Sequence, residues 1–216
     1  ELQRATDIPK EGNMENLEKA KENVEDLSDV KLLVHTQPQE AGVSKKKPAN
    51  FELGIGGSVE EKLEYAEEMI GKEIEFSDVF DEGEYSDVIG VTKGKGTEGP
   101  IQRYGIKRLD HKTQKKRRKA GNVGPWHPDQ LSWRIPLPGQ QGYNNRTEHN
   151  KRIFAHSDNP ESVQREGGFS GYGEVKTNYI LVKGSVPGPS ERLIRLRTAL
   201  RSDENPGNPE ITHIEK

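Results

Sequence analysis

The chain has no cysteine among its 216 residues, which excludes a disulfide frame, a thiolate metal site and a thiol nucleophile. That fits an intracellular setting. It also has little to bury: 29% of residues are hydrophobic and 6% aromatic, where an average globular domain is roughly 45–50% apolar with glycine counted. Charged residues reach 32% and the mean hydropathy is -0.98, so much of the chain cannot close on a core of its own. No apolar run approaches the ~18–20 residues that span a bilayer, and no signal peptide is visible. The chain opens on Glu1 rather than Met, in the middle of what reads as a domain, and so reads as a fragment or a processed product. The length suits one large domain or two small ones. The composition points to compact parts joined to extended parts that a partner orders.

What the chain does have is charge, sharply divided. From Val88 to Arg152 there are fifteen Lys and Arg against four acids, a net of about +11, while the whole chain stands at -3. The remainder therefore carries about -14. Residues 1–30 hold nine acids and four bases. Met14, Leu17, Ala20, Val24 and Leu27 recur there at helical spacing and predict a helix over about 13–27. Val30–Val34 reads as a strand, and residues 37–51 as an extended loop, whose Lys45, Lys46 and Lys47 suit phosphate and water equally. Ser58 and Glu61 form a capping box, ahead of a helix striped by Leu63, Ala66, Met69 and Ile70 and ended by Gly71. Twelve acids lie from Glu60 to Asp87. They lack the spacing of a calcium loop and read as a solvated face. Farther on, Gly167–Gly168 is a turn, Tyr179–Lys183 and Leu193–Arg197 are strands, and residues 203–216 are a polar tail.

The basic centre opens with a strand, Val88–Thr92, followed by Gly94-x-Gly96-x-x-Gly99. A dinucleotide fingerprint would continue at once into a helix and place an acid ~20 residues on. Here Pro100 and a basic arm follow, with Arg117, Arg118 and Lys119 where the acid belongs, so these glycines suit close backbone approach to a polyanion instead. The arm carries Arg103, Lys107, Arg108, Lys112, Lys115, Lys116, Arg117, Arg118 and Lys119 with almost no apolar periodicity. Alone in water it should be disordered; against a phosphate backbone the same cations release counterions and bind. A solvated loop or a localisation signal is the competing reading. Trp126, framed by Pro125 and His127-Pro128, reads as a rigid loop apex with a ring free to stack on a base; an ordinary core tryptophan is the plainer alternative. Gln140, Gln141, Tyr143, Asn145, Arg146, Lys151 and Arg152 form a polar, basic run suited to phosphate, 2′-hydroxyl and base-edge bonds. Lys93, Lys95, Arg134 and Lys183 complete the candidate contacts. The six histidines show no zinc spacing and no serine sits in a nucleophile elbow, so neither a metal nor a cofactor is expected, and catalysis is not.

Phe80, Asp87, Gly90, Thr92, Gly94-Lys95-Gly96, Gly99 and Arg103 resemble, in type and spacing, the signature of the universal ribosomal protein L-three family of the large subunit. Pro125-Trp126-His127-Pro128, the run from Gly139 to Lys151 and Leu181–Pro189 are similar to its archaeal and eukaryotic branch, and the acidity suggests an archaeal source. The resemblance covers roughly residues 25–205. It implies an α+β fold with a small β-barrel of the translation-protein type, an α/β insertion and a long extension penetrating large-subunit rRNA. It further implies a tip, with Trp126 at the matching position, that approaches the aminoacyl-tRNA side of the peptidyl transferase centre, and a role in early assembly without catalysis. Family members begin with a basic tail and first barrel strands that are missing here, so the barrel is expected to be incomplete in this chain unless another chain supplies them. Gln114 stands where eukaryotic members carry a modified histidine, and no such modification is expected.

The division expected is 1–80 acidic α/β insertion, 81–102 barrel strand and glycine-rich loop, 103–152 basic extension, 153–202 remaining barrel strands and 203–216 tail. The expected partners are large-subunit rRNA and neighbouring ribosomal proteins in the cytoplasm, with no membrane and no small-molecule substrate. An RNA-processing enzyme working through His127 or His149, or an acidic/basic protein-interaction module, is the alternative.

Overall fold

The computed structural model describes residues 15–202 and 207–214. In chain order they form helix α1 (Glu15–Glu22), strands β1 (Lys31–His35) and β2 (Asn50–Gly54), helix α2 (Val59–Met69), strands β3 (Tyr85–Val91) and β4 (Thr97–Glu98), and helix α3 (Pro100–Tyr104). Strands β5 (Gly139–Gln140), β6 (Asn145–Ser157), β7 (Tyr179–Val182) and β8 (Arg195–Thr198) follow. Single 3-10 turns punctuate these elements. The class is mixed α and β with antiparallel sheets, and among the described residues no sheet closes into a barrel. The chain divides into two compact units. One holds Glu1–Glu84, Arg152–Lys183 and Asn205–Lys216; the other holds Tyr85–Lys151 and Gly184–Glu204.

In the first unit α2 starts as its sequence dictates. The Ser58 hydroxyl accepts from the Glu61 amide at 3.3 Å, and the Glu61 carboxylate accepts from the Ser58 amide at 2.8 Å. The helix buries Leu63 and Ala66 and packs against α1 and β1, while Lys62 reaches Asp29 at 2.6 Å. Strands β1 and β2 pair antiparallel from Lys31↔Gly54 to His35↔Asn50, so Asn50 and Phe51, expected in a loop, begin a strand. The helix expected over 13–27 stops at Glu22, and its first two residues lie outside the described ones. Asn23 ends it: its side-chain amide donates to the Lys19 carbonyl at 2.8 Å, competing with helix continuation, and Val24–Asp26 follow as a 3-10 turn. Farther along, Phe76 stacks on Phe80 at 5.3 Å, and the Ile153 backbone exchanges bonds with Gly83 and Glu84 at 3.0 and 2.9 Å. Ile153 is fully buried there, and the second half of β6 pairs with β7 from Ile153↔Val182 to Ser157↔Tyr179 across a bulge.

The second unit is organised by β3, which lies between β6 and β8. Ser86, Asp87 and Val88 are its fully buried residues. Asp87 faces Arg197 across the β3–β8 register, and its Oδ2 accepts from Arg197 Nε and Nη2 at 3.2 and 3.1 Å. Its Oδ1 accepts from the Asn150 amide at 3.2 Å. His149 Nδ1 lies 3.0 Å from Oδ2 but out of line for a directed hydrogen bond. Ser86 donates to the Lys151 carbonyl at 3.3 Å. One buried carboxylate thus ties three strands. It also explains why β6 is hard to see in the sequence. Residues 145–152 are polar on both faces, and Asn150, at φ +54, turns its amide to a side chain instead of a neighbouring strand.

Burial raises the Asp87 carboxyl, but the Asn150 amide, His149 and Arg197 outweigh it and hold the group below its ordinary 3.8. The folded chain therefore binds fewer protons there than the unfolded one. The stabilisation is complete above about pH 4 and is lost as pH falls through the depressed native value. Asp87→Asn is expected to cost about 1.5–3 kcal/mol in denaturant unfolding near neutral pH, and to remove part of the acid-side loss of stability seen in the parent chain.

Candidate nucleic-acid interface

Beyond β3 the chain keeps its hand on itself for a few residues before leaving the sheet. Thr92 N donates to the Asn144 carbonyl at 3.0 Å, Tyr143 N to Lys93 O at 3.3 Å, and Lys95 N and Gln141 N bond Gln141 O and Gly96 O at 2.9 Å each. Strands β4 and β5 then pair Thr97↔Gln140 and Glu98↔Gly139. Outgoing and returning segments are therefore stitched together, and residues 105–138 lie between them in sequence. Gly142 makes the closest crossing. It has φ +69, and a Cβ there would lie 2.0 Å from the Lys93 carbonyl oxygen, so only glycine fits.

The helix that the fingerprint argument found missing after Gly99 does form. Pro100 at its first turn, with a preset φ and no amide to satisfy, starts α3, and Gly105 at φ +68 ends it after five residues. Arg103 on α3 is consequently no free arm residue. Its guanidinium donates to the Leu137 and Gln140 carbonyls at 2.9 and 3.2 Å and clamps the root. Arg117 is tied in similarly: its Nε donates to the Leu109 carbonyl at 3.2 Å, and Leu109 N to its own carbonyl at 3.0 Å. That closes a loop around the 3-10 turns of His111–Lys116, which open on an Asp110 cap.

The other candidates of this unit divide by exposure. Lys93, Lys95, Lys107, Arg108, Lys112, Lys115, Lys116, Arg118, Lys119 and Arg134 all lie at the surface. Among the described residues none of them has an ion-pair partner. Trp126, His127, Gln140, Tyr143, Asn145 and Arg146 are exposed as well, while Gln141 and Lys151 are half-buried. Some of these also bond within the protein. Gln140 donates to the Gln141 and Gly142 carbonyls, Arg146 to the Asn145 carbonyl at 2.8 Å, and Lys151 pairs with Glu148 at 2.6 Å. Arg152 and Lys183 belong to the first unit. There Arg152 donates to the Gly207 carbonyl at 2.9 Å and its own carbonyl accepts from Lys183 N at 2.9 Å.

Trp126 is 83% exposed, not a core residue. The structure adds a second indole that the sequence reading passed over. Trp133 is 84% exposed, with the Arg134 guanidinium over its ring at 5.3 Å. A second tryptophan seven residues on, in a segment without apolar periodicity, was the available signal. The supporting residues were also missed: Arg192, which donates to the Val91 and Thr92 carbonyls at 3.1 Å and lies over the Tyr143 ring at 5.4 Å, and the partners of Asp87. Their roles depend on contacts across more than forty residues of chain, which no local pattern announces. His149 is one of them. It lies against Asp87 in the sheet, and no cluster of His, Asp and Glu capable of holding a metal occurs among the described residues. No helix among them is long and apolar enough to cross a membrane.

The segment between β4 and β6 thus combines exposed cations without ion-pair partners and two bare indole rings, on a root closed by the Gly142 crossing. Residues 5–215 match the family model of ribosomal protein L3, and the chain belongs to that family. Its relatives are mostly archaeal. The large ribosomal subunit protein uL3 of Methanopyrus kandleri is 45% identical over 223 residues, covering 100% of this chain and 62% of the relative. That of Methanothrix thermoacetophila is 45% identical over 222 residues, covering 100% and 66%. That of Archaeoglobus fulgidus is 48% identical over 204 residues, covering 93% and 61%. This chain thus spans less than two thirds of the length of these relatives.

In the free chain both indoles are expected to be quenched by acrylamide as readily as a tryptophan in an unstructured peptide. Trp126→Phe and Trp133→Phe separate the two signals. A shielded, blue-shifted emission from either single-tryptophan variant would show that its ring folds back onto protein.

Proposed function

We propose that this chain is a structural, non-catalytic constituent of the large ribosomal subunit, working in the cytoplasm, that binds large-subunit rRNA through the segment 93–152 and Lys183. The observation that carries this is the concentration of fifteen cations against four acids in one segment that leaves most of its charge without ion-pair partners among the described residues. The names of the relatives support the reading. The extension threads between rRNA segments, neutralising phosphates that no protein carboxylate could replace, and so supports early assembly. Its tip at Trp126 reaches toward the peptidyl transferase centre, where an exposed ring can stack on a base.

In this reading residues 1–80 are the acidic insertion, 81–102 a barrel strand with its glycine-rich loop, 103–152 the rRNA extension, 153–202 the remaining barrel strands and 203–216 the tail. Strands β3, β7 and β8 are part of a translation-type barrel that needs further strands to close. Neighbouring ribosomal proteins are partners; membranes and small-molecule substrates are not.

Two tests follow from the extension. With about half of the nine cations of 103–119 on phosphates, log K for large-subunit RNA should fall with log salt at a slope of about -3, at ~0.7 per single-strand contact; a flat response removes the reading. Trp126→Ala should enter large subunits at near-normal level but alter chemical probing at the peptidyl transferase centre. Unchanged probing there would retire the tip assignment.

A further inference from the structure

The second unit contains a cleft of about 480 Å³ at the root of the extension, the size of a pocket for one small group rather than a helix groove. One wall is the crossing of outgoing and returning chain: Thr92, Lys93, Lys95, Gln141, Gly142 and Arg146 line it together with Asn144. The other wall is the turn at Val186 and Gly188. Gly188 sits at φ +107 where a Cβ would come within 2.8 Å of the Val91 carbonyl oxygen. Arg192 braces this corner by its bonds to the Val91 and Thr92 carbonyls.

Several features define the cleft together. Its backbone is fixed, by Thr92 and Asn144 bonding each other twice through the Thr92 hydroxyl at 3.2 and 3.3 Å and by the Lys95–Gln141–Gly96 pair. Its lining includes three cations and no acid. None of Lys93, Lys95 and Arg146 has an ion-pair partner among the described residues, and Gln141 Oε1 is buried without a hydrogen-bond partner. Concentrated positive charge on a fixed backbone favours a phosphate oxyanion, and amide groups beside it suit the hydroxyl and base edge of an attached nucleoside.

We propose that this cleft is a preformed seat for one phosphodiester of a single-stranded RNA segment, with its attached nucleoside against Gln141 and Asn144. The proposal rests on the rRNA-binding reading above and deepens it. The cations of 107–119 follow the phosphate chain without fixed geometry, whereas the cleft fixes register at a single nucleotide.

The test is nuclear magnetic resonance on the full chain in a phosphate-free buffer, titrated separately with a short single-stranded oligouridylate, uridine monophosphate and inorganic phosphate. The oligonucleotide should shift the Gly142 and Asn144 amides saturably, at lower concentration than the monophosphate, and that at lower concentration than inorganic phosphate. Lys93→Ala with Arg146→Ala should abolish those shifts and reduce the salt slope by about 0.7, the one phosphate that the seat holds. Arg146→Lys should restore part of the binding, which shows that charge and not folding was lost. Lys115→Ala with Lys116→Ala should weaken overall binding but leave the cleft shifts in place. If the oligonucleotide moves resonances of the extension but not those of the cleft, the seat is wrong and the rRNA reading stands. If inorganic phosphate saturates the cleft first, the site is for a free anion and the proposal fails. If no RNA binds at all, both fall.

Discussion

A carboxylate with no solvent exposure is costly unless its oxygens are met by donors. Asp87 meets that condition with a backbone amide from β6 and a two-pronged guanidinium from β8. Because β3 can be flanked only by strands that bring those donors, the carboxylate acts as a register pin. A slip of one residue along β6 would leave it facing the wrong amide and reverse every side chain of the strand. The basic segment follows from the far end of this same β3. The position of its root, and of every cation near it, is set by a group that never touches the surface.

The apolar core does comparatively little. Leu63, Ala66, Phe80, Val88, Ile153 and Val163 are the buried hydrophobic residues among those described. The second unit owes only Val88 to that set. Its coherence comes from hydrogen bonds between segments far apart in sequence and from glycines that let backbones cross at contact distance. Such a design keeps side chains free to face outward.

What the sequence made legible follows from locality. The capping box at Ser58 and Glu61, the α2 stripe and the Tyr179 strand rest on neighbours a few residues apart, and each is where the pattern puts it. The family was readable because its signature lies in glycines and charges that stand in fixed spacing. Strand β6 was not, since its first half has no alternation and depends on Asp87, some sixty residues earlier. Helix α3 was obscured by reading Pro100 as a stop when it is equally a start. For the interface, the charge of the extension was plain from composition, but Arg103 and Arg117 turned inward to carbonyls, and that requires the folded geometry. Trp126 stood out by its prolines; Trp133, without such a frame, did not.

Two bare indoles have a consequence for the chain on its own. Each ring leaves apolar area in contact with water, and beside them runs a stretch of like charges that draws any polyanion. A molecule of this kind is sticky in both senses while it is alone, prone to self-association through its rings and to indiscriminate salt-like adhesion. Handled alone, such a molecule should stay dispersed better in high salt and at low concentration, where both kinds of adhesion weaken.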